Sequence, residues 1–342
     1  MANVCHLVPE AWYTSRVDQF RAVTLHDVAR EAGVAVSTVS RALSNPDRVS
    51  ARTREHVRAV ATRLGYRPNR IAQALPSGRT RILALLVPDI TNPHNFGLVR
   101  GAEAQAGAAG YTLVLGDTQE SPERESAHAD RLASAVDGFV LISSRLPDDE
   151  LRELRRRHPV VLFNRELEDF PSVVLDSLDG SRQVVEHLVA LGHRRLAYLG
   201  GPASAWMDAE RWRSLSADAA RAGVEITRLG PFSPTLDGGA AAADVGLGSG
   251  ATAFVAFNDL LAIGALQRLE RRGVDVPGRI SVVGFDDIFG SGFCHPPLTT
   301  VTSPAEQAGR MLIDMLLGTC TPGRAVLPTP LHVRDSTGVA AG

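Results

Sequence analysis

Short apolar runs alternate with stretches of helical period over most of this chain, from residue 82 onwards. The apolar runs predict strands at residues 82–87, 112–115, 138–142, 160–163, 173–175, 195–199, 253–257 and 281–284. The amphipathic stretches predict helices at residues 96–109, 124–133, 148–157, 180–191, 259–272 and 304–317. Strands that alternate with helices form doubly wound parallel sheets, and this many strands suits two lobes better than one sheet.

The segment before residue 70 has a different pattern, made of short helical periods and turn residues. It predicts helices at residues 25–31, at residues 37–43 and from residue 51. Thr24 and Asp27 form a variant capping box at the start of the first helix, and Gly33 permits a tight turn before the second. Two short helices around a tight turn, closed by a third helix, predict a helix-turn-helix.

The second of these helices would face DNA in a helix-turn-helix, so its outward side chains are candidate DNA contacts. These side chains are Val36, Ser37, Thr38, Ser40 and Arg41. An arginine can bond a guanine bidentately in the major groove, whereas hydroxyl groups bond phosphates or base edges. The alternative is a plain three-helix bundle in which Arg41 pairs with Asp47 or Glu31.

Net charge changes this picture once it is located along the chain. The whole chain carries −2, and all 36 basic residues are arginine. Residues 21–81 hold twelve arginines and four acidic residues, a net charge of +8, whereas residues 82–342 carry −9. A basic block joined to an acidic body favours a nucleic-acid-binding domain, with an arginine-rich solvated face as the alternative.

Other features of the sequence exclude several classes of protein. There is no apolar run of about 18 residues, and the first 20 residues lack the pattern of an export signal. The three cysteines, Cys5, Cys294 and Cys320, are too widely spaced for a disulfide framework or a metal cage. Nucleophile, phosphate-loop and cofactor motifs are lacking. We therefore expect a cytoplasmic protein that is not an enzyme, with no cofactor, no metal and no membrane partner.

Polar and aromatic residues follow the predicted strands, at the sheet edge where open parallel sheets bind their ligands. They are His94, Asn95 and Phe96 after the first strand, Asn164 and Arg165 after the fourth, Trp206 and Arg211 after the sixth, and Asn258 and Asp286 after the last two. Such groups bond hydroxyls and stack on rings, which indicates a sugar or nucleobase pocket. The alternative is that strand-end residues such as Asp176, Asp259 and Asp287 cap or brace helices and turns.

Longer strings of residues resemble the lactose/galactose repressor (LacI/GalR) family. The headpiece strings are TLHDVA at 24–29, AGV at 32–34, STVSRAL at 37–43, VSARTR at 49–54 and LGYRPN at 64–69. The body resembles the core of the same family, which is like the periplasmic sugar-binding proteins, in PD at 88–89, NP at 92–93, LGHR at 191–194, GP at 201–202, ND at 258–259, VVGFDD at 282–287 and PLTTV at 297–301. The resemblance covers residues 23 to 335.

For DNA binding, the resemblance implies that residues 69–75 form a hinge helix, which folds only on DNA because so short a helix is unstable alone. The leucine at position 75 would be inserted between base pairs. Pro76 departs from the family pattern and biases Leu75 away from helical geometry. The implied DNA-binding residues are Thr24, Val36, Ser37, Thr38, Ser40, Arg41, Arg48, Arg52, Asn69, Arg70, Ala72 and Leu75.

The resemblance also implies an effector cleft between the two lobes. Its implied lining is His94, Asn95, Phe96, Asn164, Arg165, Trp206, Arg211, Phe232, Asn258 and Asp286. We expect Arg211 and Asp286 to hold neighbouring hydroxyls of the effector from opposing walls, through charge-assisted hydrogen bonds. The family often has two aromatic residues after Asn-Pro, where this chain has His94 and Asn95, so the wall is more polar here.

The predicted domains are an N-terminal extension (1–22), a helix-turn-helix headpiece (23–68), a hinge helix or linker (69–79) and a two-lobed core (80–335). Lobe 1 is predicted at about 80–176 plus 303–322, and lobe 2 at about 177–300 plus 323–335.

The predicted function is a transcriptional regulator, a repressor, that binds double-stranded operator DNA as a homodimer. A small-molecule effector, a sugar rather than a purine, would modulate that binding. The alternative is a soluble solute-binding receptor that does not bind DNA.

Overall fold

The computed structural model describes residues 23–44, 48–66, 79–321 and 323–341. The chain divides into two units, with the boundary between Gly78 and Arg79. The predicted extension at 1–22 lies outside the described residues, as do the predicted hinge contacts Asn69, Arg70, Ala72 and Leu75.

Three helices form the described part of the N-terminal unit: α1 (Leu25–Ala32), α2 (Val36–Ser44) and α3 (Ala51–Leu64). The capping box is present, because the backbone N–H of Asp27 donates to Thr24 Oγ1 and that of Thr24 donates to Asp27 Oδ2. Gly33, at φ 64°, ends α1 in the left-handed conformation and turns the chain towards α2. Val28, Val39 and Val57, one from each helix, are fully buried in one small core. The predicted helix-turn-helix is confirmed.

Two lobes form the second unit. The chain first builds lobe 1 from β1 (Ile82–Val87), α4 (His94–Ala108), β2 (Thr112–Asp117), α5 (Pro122–Leu132), β3 (Gly138–Ile142), α6 (Asp148–Arg157), β4 (Val160–Phe163) and β5 (Ser172–Leu175). Lobe 2 then follows as α7 (Ser177–Ala190), β6 (Arg195–Leu199), α8 (Trp206–Ala222), β7 (Glu225–Leu229), α9 (Leu236–Leu247), β8 (Ala253–Ala256), α10 (Asp259–Arg271), β9 (Ser281–Asp286) and β10 (Thr299–Thr302). The chain returns to lobe 1 for α11 (Ala305–Leu317) and β11 (Arg324–Leu327), and ends in lobe 2 with β12 (Leu331–His332).

Each lobe contains one six-stranded sheet. The strand order is β11-β5-β4-β3-β1-β2 in lobe 1 and β12-β10-β9-β8-β6-β7 in lobe 2. All neighbouring strands are parallel except β12, which pairs antiparallel with β10. The predicted doubly wound, two-lobed fold is confirmed, and it brings the carboxyl ends of the strands to the edge where such sheets bind ligands.

The position of β11 corrects the predicted lobe boundaries, which assigned residues 323–335 to lobe 2. Arg324–Leu327 pairs in parallel with Ser172–Leu175 of lobe 1, and Leu327 is buried in the lobe 1 core. Gly238 and Gly239 both belong to α9. A Cβ at Gly239 would lie 2.2 Å from the carbonyl oxygen of Leu261, so glycine lets α9 pack closely on α10.

Helices α4 and α11 of lobe 1 also pack at very close range through glycines. A Cβ at Gly101 would lie 2.1 Å from the carbonyl oxygen of Glu306, and a Cβ at Gly309 would lie 2.2 Å from that of Leu98. Real side chains do not fit at such distances, so the two backbones touch at both points. This contact holds α4, whose first residue is His94, firmly against lobe 1.

The chain crosses between the lobes three times, next to Asp176, Ser303 and Thr329. The hydroxyl of Thr329 donates to the carbonyl oxygen of Asp176 at 2.8 Å, so two of the crossing segments are bonded to each other. The lobes are therefore joined by three adjacent tethers.

Candidate functional site

Helix α2 presents the polar face expected of a recognition helix. Ser37, Ser40 and Arg41 are exposed, whereas Val36 and Thr38 are half-buried. Val36 packs against the core of the headpiece, which fixes the start of the helix. The exposed hydroxyls and the guanidinium are therefore carried on a helix whose inner side is anchored.

Three other predicted DNA contacts lie around this helix in the headpiece. Arg48 and Arg52 are exposed, just before and inside α3. The hydroxyl of Thr24 donates to Asp27 Oδ2 at 2.7 Å, so this residue caps α1 in addition to any contact with DNA.

The alternative role for Arg41, a structural ion pair, loses one of its two partners. The carboxylate of Glu31 accepts a hydrogen bond from Arg63 at 2.7 Å, which joins α1 to α3. Asp47 lies outside the described residues.

The second candidate site lies where the strands of both lobes end. Six non-glycine residues there have positive φ angles: Gln119, Glu120, Ser143, Asn164, Asp286 and Asp287. Asp286 has the largest of these angles, at φ 109°. Strained backbone of this kind persists where the surrounding structure imposes it, and it gathers at binding sites.

A cavity of about 50 Å³ lies between the lobes at these strand ends. We call it the inner cavity. Six of the predicted effector contacts line it: His94, Asn95, Asn164, Arg211, Asn258 and Asp286. The first three come from lobe 1 and the other three from lobe 2, so the cavity depends on both lobes.

Arg211 is one of two arginines among the described residues that line the inner cavity. Its guanidinium lies over the rings of Phe285 and Phe257, with its carbon 4.3 Å and 5.1 Å from their centroids. It donates to Asp286 Oδ1 at 3.2 Å and to the carbonyl oxygen of Phe257. Both members of the Arg211–Asp286 pair belong to lobe 2, which corrects the expectation that they come from opposing walls.

Three asparagines of the inner cavity are held by one end of their amide group. Asn258 Oδ1 accepts the N–H of Leu261 at 3.0 Å and caps α10, and Asn164 Oδ1 accepts the N–H of Leu175 at 3.1 Å. Asn95 Nδ2 donates to the carbonyl oxygen of Asp89 at 2.7 Å. These bonds fix the orientation of each amide before any ligand arrives.

An ion pair that was not predicted from the sequence lies on the lobe 1 wall of the same cavity. Arg145 Nη2 lies 2.6 Å from Glu120 Oε2, and the guanidinium also donates to the carbonyl oxygen of Ser143 at 2.7 Å. The N–H of Arg145 donates to Glu125, a buried carboxyl whose pKa is raised by that burial. The loops after β2 and β3 bring these residues together, and no spacing in the sequence marks them as partners.

A wider cavity of about 500 Å³ adjoins the inner one, since Pro88, Glu120 and Pro234 line both. We call it the outer cavity. Phe232, a predicted effector contact, lies in its wall beside Pro202. The apolar side chains in this wall suit the hydrophobic face of a ligand ring.

Three predicted effector contacts are not among the described residues that line either cavity. Phe96 is 55% exposed on the outer side of α4, because two residues along a helix from His94 is a rotation of about 200°. Arg165 donates to the carbonyl oxygens of Ser144 and Leu146 and pairs with Asp148 at 2.6 Å, so it braces a lobe 1 loop. Trp206 packs against the core of lobe 2.

Three strand-end aspartates have the bracing roles that were the alternative to ligand binding. Asp176 caps α7 by accepting the N–H of Asp179 at 3.0 Å, and Asp287 pairs with Arg334 at 2.7 Å. Asp259 accepts hydrogen bonds from Ile288, Ser291 and Thr300. Its burial and the nearby carboxylate of Asp286 raise the pKa of Asp259 to about 8.

The two units of the chain match two different family models. Residues 24–69 match the family model for bacterial regulatory proteins of the lacI family, and residues 185–337 match a periplasmic binding protein-like domain. The HTH-type transcriptional repressor CytR of Escherichia coli is 33% identical over 93% of this chain and 97% of its own length. This chain belongs to the lacI family.

Two solved structures of related proteins resemble this chain over most of its length. A lac repressor dimer bound to operator and the anti-inducer ONPF matches with a TM-score of 0.82 and 29% identity, over 93% of this chain and all of the other. The complex of the transcriptional regulator CelR with cellobiose matches with a TM-score of 0.67 and 34% identity, over 92% and 99% of the two chains. The chain is a DNA-binding transcriptional regulator with a small-molecule ligand site.

Two features are absent from the part of the chain that the structure describes. No helix there combines the length and the apolar character needed to span a membrane. No group of three or more metal-binding side chains is found there either.

Proposed function

We propose that this lacI-family protein represses transcription as a homodimer, and that a neutral sugar in the cleft controls its affinity for operator DNA. The observation that carries the proposal is the Arg211–Asp286 pair, buried at the boundary between two lobes in a chain that also has a helix-turn-helix. The pair presents donors and an acceptor side by side, which is what adjacent hydroxyl groups require.

On the DNA side, Arg41 reads a base, and Ser37, Thr38 and Ser40 bond phosphates or base edges. Arg48 and Arg52 attract phosphates in a salt-dependent manner, together with Arg21 and Arg70 outside the described residues. The exposure of Arg41 and Arg52 supports these roles. The hinge residues Asn69, Arg70, Ala72 and Leu75 complete the contact in the minor groove.

On the effector side, charge favours a neutral ligand. The two arginines of the inner cavity are already paired, Arg211 with Asp286 and Arg145 with Glu120. A phosphate or carboxylate bound at either pair would lie close to the carboxylate of Asp286 or Glu120 and be repelled by it, whereas a hydroxyl can bond both members of a pair. Neutral sugars carry several adjacent hydroxyls, whereas purines carry few, which favours a sugar. The CelR relative was solved with cellobiose.

The homodimer is supported by two exposed apolar surfaces of the second unit. Phe96 contributes to one of them, beside Ile90 and Leu115 of lobe 1. Phe289 and Phe293 of lobe 2 form the other, with rings 4.9 Å apart and exposures of 83% and 67%. Apolar patches of this kind mark interfaces. The lac repressor neighbour is a dimer.

The effector acts by linkage between its own site and the DNA site. A ligand that contacts both lobes stabilises one relative pose of the lobes over others, and DNA affinity changes by the difference in ligand affinity between poses. The protein acts in the cytoplasm, where bacterial operator DNA is found.

The test combines DNA selection with ligand screening on the full chain. We expect the protein to enrich a near-palindromic sequence from random DNA, with an affinity that falls steeply as salt rises. Pentoses, hexoses, disaccharides and purines are then screened by thermal shift, because a ligand of the folded state raises the melting temperature. A sugar that raises the melting temperature and changes operator affinity supports the proposal. Sugar binding with no salt-sensitive DNA affinity would instead identify a solute receptor.

A further inference from the structure

Two buried nitrogens of residues that line the inner cavity lack a hydrogen-bond partner among the described residues; one is Arg211 Nε, and the other lies close to a carboxylate of the opposite lobe. His94 Nδ1 is buried and makes no hydrogen bond within the described part of the chain. It lies 3.9 Å from Asp286 Oδ1, and the side chains are only 9% and 8% exposed. A buried polar atom left without a hydrogen bond destabilises the folded state, so this one marks a place where a partner is expected.

The His94 ring is held in place by contacts within lobe 1. The ring stacks on Phe163 at a centroid distance of 6.2 Å and an interplanar angle of 24°. Its helix, α4, is held against α11 at Gly101 and Gly309. His94 therefore belongs rigidly to lobe 1, whereas Asp286 ends β9 of lobe 2, so the 3.9 Å gap is a gap between the lobes.

The width of the gap fits one oxygen atom. At 3.9 Å the two atoms are too far apart for a direct hydrogen bond, but a single oxygen can lie about 2.8 Å from both. A hydroxyl there would accept from His94 Nδ1–H and donate to Asp286. It could also accept from Arg211 Nη2, which lies 3.2 Å from the same carboxylate oxygen. One donor and two acceptor positions use the full capacity of a hydroxyl group.

The volume of the site agrees with this assignment. The inner cavity, about 50 Å³, holds hydroxyl groups rather than a whole sugar ring, and the adjoining outer cavity of about 500 Å³ has room for the rest of a ligand. An anionic group in the gap would lie against the carboxylate of Asp286. The charges therefore select a neutral hydroxyl.

We propose that a single effector hydroxyl bridges His94 and Asp286, and that His94 is a specificity-determining residue through which the ligand joins lobe 1 to lobe 2. The proposal rests on the proposed function only in assuming a hydroxyl-bearing effector. Because the hydroxyl bonds to one group on each lobe, its binding energy depends directly on the distance between the lobes.

The first test compares three variants of the full-length protein. His94→Phe keeps a ring against Phe163 and removes Nδ1, whereas His94→Asn keeps a polar atom close to the position of Nδ1. His128→Phe, the same change on α5 outside the lining of both cavities, is the matched control. D-Ribose, D-glucose and cellobiose are titrated by calorimetry, and the tightest binder is compared with its monodeoxy analogues.

We expect wild type and His128→Phe to bind the sugar at least about tenfold more tightly than one of the monodeoxy analogues, because a site built to bond a hydroxyl rejects the analogue lacking it. His94→Phe should lose about tenfold in affinity and lose this discrimination, and His94→Asn should recover part of both. Undiminished discrimination in His94→Phe would overturn the proposal. Ligand-free operator affinity, which should be equal in all four proteins, separates this failure from a failure of the proposed function.

A second measurement does not depend on the choice of sugar. A crystal structure of the full chain soaked in glycerol, a minimal polyol, should place a glycerol hydroxyl within about 3.2 Å of both His94 Nδ1 and the Asp286 carboxylate. A water molecule in the gap with glycerol elsewhere, or an empty gap, would overturn the assignment.

Discussion

Arg211 donates to Asp286 at 3.2 Å while its guanidinium lies over the rings of both Phe257 and Phe285. The arginine comes from α8 and the aspartate from the end of β9, so the pair joins two elements on the ligand side of the lobe 2 sheet. A buried ion pair contributes little net stability, but the loss of one member leaves a charge without a partner. This asymmetry gives the first prediction.

We expect Arg211→Met to lower the free energy of unfolding by about 3–5 kcal/mol, because Asp286 is then unpaired beside the carboxyl of Asp259. The double variant Arg211→Met/Asp286→Asn should regain part of the loss, since it removes the unpaired charge. Urea denaturation measures both. Arg310→Met, which breaks only an exposed pair with Glu306, should cost less than about 1 kcal/mol. Equal losses in the single and double variants would contradict the argument.

The buried carboxyl of Asp259 makes stability depend on pH. Its folded-state pKa of about 8 lies above the ordinary value of 3.8, so the folded chain binds a proton that the unfolded chain has released. Stability from this group is therefore lost as pH rises, by up to about 1.4 kcal/mol per unit, until pH passes about 8.

Asp259→Asn isolates that effect. An asparagine can still accept from Ile288 and Ser291 and can donate to the hydroxyl of Thr300, but it does not titrate. Between pH 7 and 8 the wild-type free energy of unfolding should fall more steeply than that of the variant. Burial lowers the pKa values of His158, His187 and His193, so pH 7 to 8 lies above all three, and these histidines contribute little to the slope. Parallel pH profiles for the two proteins would show that Asp259 is ionised throughout.

The third prediction concerns base recognition by α2. Arg41→Ala should weaken binding to the selected operator by about 1–3 kcal/mol and relax the preference at one base position, with little change on random DNA. Arg52→Ala should weaken both and reduce the dependence of log affinity on log salt by about one. Arg63→Ala, which removes only the pair with Glu31, is the control. An equal loss on operator and random DNA for Arg41→Ala would reassign it to phosphate.

The fourth prediction concerns assembly. Phe289→Ser combined with Phe293→Ser should weaken the homodimer by at least about tenfold, because each buried phenylalanine side chain contributes about 1.5–3 kcal/mol. Sedimentation equilibrium of the full chain measures the change. Val339→Ser alters another highly exposed apolar residue near the C-terminus and should leave the dimer intact. An unchanged dimer in the double variant would place the interface elsewhere on the molecule.

Much of the fold was predictable because local patterns and packing agree. The helix predicted at residues 148–157 matches Asp148–Arg157, where acidic residues begin the helix and arginines end it. The elements that were not predicted include α8, β7 and β10, and three others, α9, β11 and β12, lack such patterns. α9 is rich in alanine and glycine, so no apolar stripe stands out, and β12 has only two residues. β11 is half exposed at the edge of its sheet, and its assignment to lobe 1 depends on pairing with a strand about 150 residues earlier.

The candidate site was predictable to the extent that position after a strand determines it. Asn164, Asn258 and Asp286 each follow or end a strand, and the fold brings them together. Phe96 and Arg165 satisfied the same rule and lie elsewhere, because helix phase and a competing loop carbonyl set the direction of a side chain. Glu120 and Arg145 are paired only by tertiary structure, so their meeting could not be predicted from local sequence.

The three tethers between the lobes have a consequence for what an effector can communicate. Two lobes joined by a single tether can slide, twist and open relative to each other. Three adjacent tethers, two of them bonded through Thr329 and Asp176, oppose sliding and twisting of one lobe against the other. Rotation about one axis is then the easiest motion. Under the proposed linkage mechanism, a ligand in the cleft therefore changes mainly the angle between the two lobes. Under the same mechanism, a variant that loosened one tether would let the lobes adopt several relative poses, and the ligand would still bind without giving a defined output.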